Sequence, residues 1–324
     1  MTLYSTSLQV PIIYKIRISM EFFADSRTNN WFLIRHPFHG LGILALYLYF
    51  VNSWGPKFMK NREPWKLTKL LIIYNFLQVL VSGYIFTQGL DAAWLHYDWT
   101  CEPCDHSNTP EALRVARLVY VYFLDKMVDL LDTVFFVLRK KDKQITFLHC
   151  YHHTMMVIVG WICVKYYPGG HCTFIGLINS FIHVIMYSYY LLAALGPQVQ
   201  KYLWWKRYLT TMQLAQFCIM FVHTSLLMFK DCGYPKWPVL VALPNIVFFY
   251  YLFVDFYNMA YKKEGTNTQR APLLENKSPD DNSNISETTQ NIIDGMKLPE
   301  AHSKNSSEGE NGACLLKKYH PVDS

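Results

Sequence analysis

The stretch HCYHHTMM, His149 to Met156, places three histidines inside a segment otherwise apolar enough to enter a lipid bilayer. At the 100° per residue of an α-helix, His149, His152 and His153 fall within an arc of about 100° and share one face. A single buried imidazole is usually a hydrogen-bonded core residue; three on one face of a span are harder to assign to packing. Cys150 lies to the side of that arc, which makes it a weaker nucleophile candidate.

The composition around this stretch is that of a membrane protein: 52% hydrophobic, 16% aromatic and only 17% charged. Seven segments are near the roughly 20 apolar residues that a helical span requires. They lie at 36–55, 67–87, 114–138, 145–165, 172–195, 208–228 and 237–260. The chain therefore reads as an all-α integral membrane protein in three parts, with an N-terminal extension (1–35), a seven-span domain (36–263) and a tail (264–324). The tail is rich in Asn, Ser, Asp, Glu and Lys and carries too little apolar surface to offset the entropy of ordering it, so disorder is expected there.

The net charge of +6 does not point to nucleic acid, because the basic residues sit at the ends of apolar segments. Lys57, Lys60, Arg62 and Lys66 follow the first span, RKKDK (139–143) the third, and Lys201, Lys206 and Arg207 the fifth. The intervening loops are poor in Lys and Arg, which places the basic loops and the tail in the cytosol. Lys15, Arg17, Arg27 and Arg35 conflict with this, since they would lie on the far side. No cleavable signal peptide is evident, because the cations of the first 20 residues follow a short apolar run instead of preceding it. The three Asn-x-Ser sites of the tail, Asn276, Asn284 and Asn305, should then stay unglycosylated. Cys101, Cys104 and Cys232 fall on the non-cytosolic side, where an oxidising lumen permits Cys232 to pair with one of the other two. Sequence alone does not fix the pairing; Cys101 with Cys232 is the candidate carried forward.

Ionisable groups at bilayer depth are costly unless paired or facing a polar cavity, so each is a functional candidate. Lys126, Asp129 and Asp132, in DKMVDLLDT, are spaced by three and project from one side of the third span. The competing explanation is an ion pair that staples helices. In NSFIHVIMYSYY, Asn179, His183, Met186, Tyr187 and Tyr190 form one helical stripe; in TTMQLAQF, Thr210, Gln213 and Gln216 are again spaced by three. Stripes of this kind also serve packing or interhelical hydrogen bonding. Spans three to six thus each contribute a polar stripe, as expected if they enclose one site.

Read together, KMVDLLDT, HCYHH, NSFIHVIMYSYY and TTMQLAQF resemble, in order and spacing, the very-long-chain fatty acid elongases of endoplasmic reticulum membranes. The likeness runs from about Asn30 to Lys263 and includes NWFLIRHP and GPKFMKNREPWKL. The family's usual KxxExxDT has Asp129 in place of Glu here, a shorter carboxylate. Its frequent C-terminal dilysine signal is out of place, since Lys317 and Lys318 precede the end of the given sequence by several residues. The resemblance implies a 3-oxoacyl-CoA synthase: acyl-CoA and malonyl-CoA condense to 3-oxoacyl-CoA, carbon dioxide and CoA. It implies six helices, spans two to seven, in a barrel around a narrow acyl tunnel with the first span outside. It implies no cofactor and no metal, and as partners the bilayer, a homodimer and the other enzymes of the elongation cycle. QITFLHCYHH, with Gln144 and Tyr151, is more similar to members acting on polyunsaturated or very long chains than to those acting on saturated shorter ones.

The residues can support ping-pong chemistry. A neutral His152 imidazole would attack the acyl thioester, and the enolate left by malonyl-CoA decarboxylation would then attack the acyl group. His183 and Asn179 would stabilise the developing oxyanion, with His149 and His153 orienting groups or exchanging protons. Asp132 completes the catalytic set. Arg139, Lys141 and Lys206 are candidates for the CoA phosphates, and Lys126, Asp129, Gln144, Tyr187, Tyr189, Thr210 and Gln213 for the rest of the substrate. A concerted condensation with the histidines as general bases is the variant. Two other classes compete: a His-box desaturase or hydroxylase, for which one box plus His183 and His223 is a thin ligand set, and a seven-span receptor, for which no DRY or NPxxY motif is present.

Overall fold

A computed structural model of the chain describes residues 23–270, with side chains through Tyr261. The tail sequons, Lys317, Lys318, Lys15 and Arg17 lie outside the described residues. Helix α1 (Pro37–Tyr49) continues through a π-helical turn (Phe50–Trp54) into α2 (Gly55–Met59); α3 (Thr68–Gly89) ends in a second π-helical turn (Leu90–Trp94). Then follow α4 (Pro110–Leu138), a 3-10 turn (Asp142–Gln144), α5 (Phe147–Tyr166), α6 (Thr173–Ala194), α7 (Pro197–Gln200), α8 (Lys206–Phe229) and α9 (Trp237–Arg270). No strand occurs among the described residues. One compact unit extends to Tyr257, and a second begins at Asn258 within α9.

The helix starts follow from local chemistry. Pro37, Pro110 and Pro197 occupy first-turn positions, where a missing N–H costs nothing. Thr109 and Thr146 cap α4 and α5, accepting hydrogen bonds from the amides of Ala112 and His149. The second cap puts His149 in the first turn of α5, so the three histidines sit at one end of that helix and not at its middle.

Among the described residues, five helices are long and apolar enough to cross a membrane: Thr68–Trp94, Phe147–Tyr166, Thr173–Ala194, Lys206–Phe229 and Trp237–Tyr261. The segments expected to span at 36–55 and 114–138 are helical but fall outside this class. The first, continuous from Pro37 to Met59, is diluted by His39, Asn52, Ser53 and Lys57. The second, α4, carries seven charged residues from Glu111 to Asp132. Polarity is arranged for lipid. On α3, Ile73, Phe76, Leu77 and Leu80 are exposed, whereas Asn75, Gln78 and Ser82 of the same helix are buried. On α9, Leu240, Val241, Val247 and Tyr251 are exposed. In water this would leave a large apolar surface uncovered; in a bilayer each helix turns its apolar face to lipid and its polar face inward. The chain is a helical membrane protein.

Helix α3 packs on α6, α4 on α5 and on α3, and α6 on α8. Phe217 of α8 stacks on Phe249 of α9, and the Tyr151 hydroxyl of α5 donates to Asn245 of α9 at 2.9 Å. At one end the Cys101–Cys232 disulfide joins the loop before α4 to the segment between α8 and α9, the pairing carried forward from the sequence. Residues 23–35 fasten to the last turns of α5 nearby. The Asp25 amide donates to the Lys165 carbonyl at 2.8 Å, the Thr28 hydroxyl to that of Val164 at 2.6 Å, and the Trp161 indole to that of Leu33 at 3.0 Å. Arg27, one of the cations in conflict with the charge rule, is neutralised there by Asp25 at 2.6 Å and also donates to the Ser107 carbonyl.

Candidate active site

The charged stripe of α4 forms one connected network. Lys126 and Asp129 are each about 2% exposed, and the Lys126 ammonium lies 2.7 Å from Asp129 and 3.0 Å from Asp125. Asp129 also accepts from the Gln78 amide of α3 and, at 2.9 Å, from the Tyr187 hydroxyl of α6, which lies at the same distance from Asp132. Tyr187 is fully buried, with Tyr74 edge-on to it. Three helices therefore meet around carboxylates that could not be buried singly, and the lysine supplies the counter-charge. The pairing is within α4; the donors that complete it come from α3 and α6.

Lys126 also fixes the state of the neighbouring imidazole. Its ammonium lies 3.2 Å from His183 Nδ1 and can only donate, so Nδ1 accepts and the ring proton belongs on Nε2. His183 thereby presents an N–H donor on its other side. Asn179, one turn earlier on α6, accepts from the Tyr122 hydroxyl at 3.1 Å through Oδ1, leaving its NH2 as the free end of an oriented amide.

The three box histidines differ in their restraints. The Tyr47 hydroxyl of α1 and the Thr133 hydroxyl of α4 lie 2.8 Å apart, and Thr133 lies 2.9 Å from His149 Nε2. His149 stacks obliquely on His153 at 4.3 Å, and His153 lies edge-on to His152 at 5.4 Å. His152 makes no hydrogen bond among the described residues, is only half-buried, and has Phe249 of α9 edge-on at 5.4 Å. One imidazole is anchored by a hydrogen bond, while neither of the other two makes one among the described residues, and of these His153 is buried and His152 half-buried.

Of the residues singled out in the sequence, Lys126, Asp129, Asp132, His183 and Tyr187 join one network, and His149, His152 and His153 lie together. Thr210 is buried, and Gln213 reaches Met186 of α6 through its amide at 3.7 Å. Gln216 bonds within its own helix, to Met220. Tyr189 packs edge-on to Trp205, and Tyr190 is exposed. Arg139, Lys141, Gln144 and Lys206 lie at helix ends or in the connecting loop, with Lys141, Gln144 and Lys206 exposed. His223 stacks on His171 at 3.9 Å, beside Trp94 and Phe174. The sequence reading missed Gln78, Asp125, Tyr122, Tyr47 and Thr133. A signal existed for Gln78, since Asn75, Gln78 and Ser82 recur at helical spacing in an apolar span.

Ligand atoms of Asp125, Asp129 and His183 lie within 4.8 Å of one another, close enough to surround a cation. The Lys126 ammonium lies within 3.2 Å of each of these residues, so a metal ion would have to displace it. The box imidazoles are not part of that group. The arrangement does not favour the metal-enzyme reading.

Residues 32–269 match the family model described as ELO: GNS1/SUR4 family. The chain is 48% identical over 242 residues to very long chain fatty acid elongase 4 of Macaca mulatta, an alignment covering 74% of this chain and 76% of that protein. It is 45% identical over 242 residues to very long chain fatty acid elongase 7 of Drosophila melanogaster, covering 74% of each. With a very long chain fatty acid elongase of Aedes aegypti it shares 44% identity over 258 residues, 79% of this chain and 72% of that one. The matched region contains every member of the buried network and all three box histidines, and the chain belongs to the GNS1/SUR4 (ELO) family, the very long chain fatty acid elongases.

Proposed function

We propose that the protein condenses a long or very-long-chain acyl-CoA with malonyl-CoA in the endoplasmic reticulum membrane, with His152 as the nucleophile. The observation that carries this reading is a half-buried His152 imidazole with no hydrogen bond among the described residues, in a chain whose α6 carries two oriented donors, His183 Nε2–H and the Asn179 amide. A ring nitrogen of His152 adds to the thioester carbonyl, and CoA leaves as thiolate, giving an acyl-imidazole. Malonyl-CoA then loses carbon dioxide, and its enolate carbon attacks the acyl carbonyl. The carbon–nitrogen bond breaks, the imidazole is restored and 3-oxoacyl-CoA is released. His183 and Asn179 donate to the oxyanion that forms at each addition. His149, held by Thr133, orients His153 against His152.

The same reading takes α1 with α2 as a first span and α4 as a third, giving seven. The pairwise contacts support a barrel of the last six long helices: α4 on α3, α3 on α6, α6 on α8, α8 on α9 and α9 on α5, with α5 returning to α4. Arg139, Lys141 and Lys206 would hold the CoA phosphates at the end where the box opens, and the tail would be cytosolic.

The test is intact-protein mass spectrometry after incubation with acyl-CoA alone, alongside two-carbon extension with labelled malonyl-CoA. An acyl adduct in the wild type that is absent from His152→Ala, with extension lost in the variant, is the expected result. Extension without an adduct would leave the condensation and overturn the covalent step; no extension of any acyl-CoA from a correctly inserted protein would overturn the function.

A further inference from the structure

Residues 27–32 and the first turns of α4 border a cleft of about 530 Å³. Its walls are joined by contacts distant in sequence. Trp31 packs obliquely on Tyr120 of α4 with ring centroids 5.0 Å apart, and the Tyr120 hydroxyl donates to the Phe32 carbonyl at 3.2 Å. Leu33, the next residue, holds φ +64°, a left-handed conformation strained for a side chain with a Cβ, and the Trp161 indole donates to its carbonyl at 3.0 Å. At this held turn Phe32 stands 74% exposed at the edge of the cleft. Three arginines lie in or near the cleft, and two are engaged. Arg27 is paired with Asp25 at 2.6 Å and donates to the Ser107 carbonyl at 2.8 Å; Arg114 donates to Gln88 at 2.6 Å and to Asp91 at 2.7 Å. Arg117, exposed on the cleft wall, makes no hydrogen bond or ion pair among the described residues. None of the residues lining the cleft is acidic.

The depth of Arg117 says what should meet it. Helix α4 has 29 residues, about 43 Å at 1.5 Å per residue, close to the thickness of a bilayer with its headgroup layers. The hydrocarbon core takes about 30 Å of that, so a centred α4 leaves about 6–7 Å at each end among the headgroups. Arg117 lies about 10 Å along from Pro110, which puts its backbone a few ångströms inside the hydrocarbon boundary. Side chains on a helix tilt toward its N-terminus, so the guanidinium reaches back to the level of the lipid phosphates, with Tyr120 one turn deeper. A cation at that depth is costly without a counter-charge, and the protein supplies none. We infer that the cleft is a binding site for one anionic glycerophospholipid. Arg117 takes the phosphate through its planar fork of donors, and Trp31, Phe32 and Tyr120 lie along the first methylenes of an acyl chain. The headgroup carries net negative charge, because no carboxylate lines the cleft to receive the cation of a zwitterionic one. The inference rests on the reading of α4 as a membrane span and is independent of the condensation chemistry.

The test uses the full-length protein, stripped of lipid in detergent and titrated with phosphatidylinositol or phosphatidylcholine, with the bound fraction read by native mass spectrometry. The expected result is a retained phosphatidylinositol adduct and weaker binding of phosphatidylcholine. Arg117→Gln should weaken the adduct about tenfold, the size of one charge-assisted contact to phosphate. Leu113→Trp, which fills the cleft and leaves Arg117 in place, should also lose the lipid. Size-exclusion chromatography shows whether each variant is folded, and because two different changes are made, a failure of one to fold leaves the other to decide. Equal binding of the two lipids, an adduct undiminished in a folded Arg117→Gln or Leu113→Trp variant, or displacement of the lipid by inorganic phosphate would each overturn the assignment.

Discussion

Replacing Lys126 with Met tests whether the buried charges of α4 are held by their geometry. The ammonium is the shared counter-charge of Asp125 and Asp129, at 3.0 and 2.7 Å, with all three side chains 2% exposed. Methionine approximates the volume but leaves two carboxylates facing each other without a cation. Asp129 would retain the donors Gln78 and Tyr187, while Asp125 Oδ1 already has no hydrogen-bond partner. Breaking a buried pair by removing one partner costs about 3–5 kcal/mol, and sharing one cation between two carboxylates favours the upper part of that range. At roughly 2–4 °C per kcal/mol for a domain of this order of size, the unfolding midpoint should fall by on the order of 10 °C. Fluorescence-detected size-exclusion chromatography after heating steps in detergent measures this without reference to activity. Adding Asp125→Asn and Asp129→Asn to Lys126→Met removes the orphaned charges and should recover most of the loss. A single variant within about 2 °C of wild type, or a triple variant no more stable than the single, would refute the reasoning and return Lys126 to a purely substrate-binding role.

Two further expectations rest on other parts of the structure. Thr133→Val keeps the shape but removes the hydroxyl between Tyr47 and His149 Nε2, leaving both partners unsatisfied at about 1–3 kcal/mol; initial-rate measurements should show a reduced maximal elongation rate with little change in the acyl-CoA concentration needed for half-saturation, and an unchanged rate would remove His149 anchoring from the mechanism. Burial alone would raise the Asp25 carboxyl, but hydrogen bonds from the Arg27 side chain, the Arg27 amide and His106 hold it below its ordinary 3.8. A depressed carboxylate stabilises the folded chain fully above its ordinary value and ceases to do so as the pH falls through the folded value. Cleavage of residues 23–35 by an acid protease should therefore begin only below about pH 3.8, and Arg27→Gln should move that onset upward; an onset unmoved by the variant would show that Asp25 does not fasten the segment.

The sequence by itself determined the class of fold, the order of the helices, the shared face of the three histidines and the two candidates for pairing with Cys232. Each of these rests on a local quantity: apolar run length, residues per turn, or the side of the membrane on which a loop falls. Tertiary structure decided which polar groups meet. Gln78, Tyr47 and Thr133 complete the site from helices whose own composition says little about their partners. Asp125 lies off the three-residue stripe and still shares Lys126. His149 is anchored where His152 is not because Thr133 of a different helix stands beside it. Such meetings depend on the rotation and axial offset of separate helices, which packing sets for all of them at once and which no single helix periodicity contains.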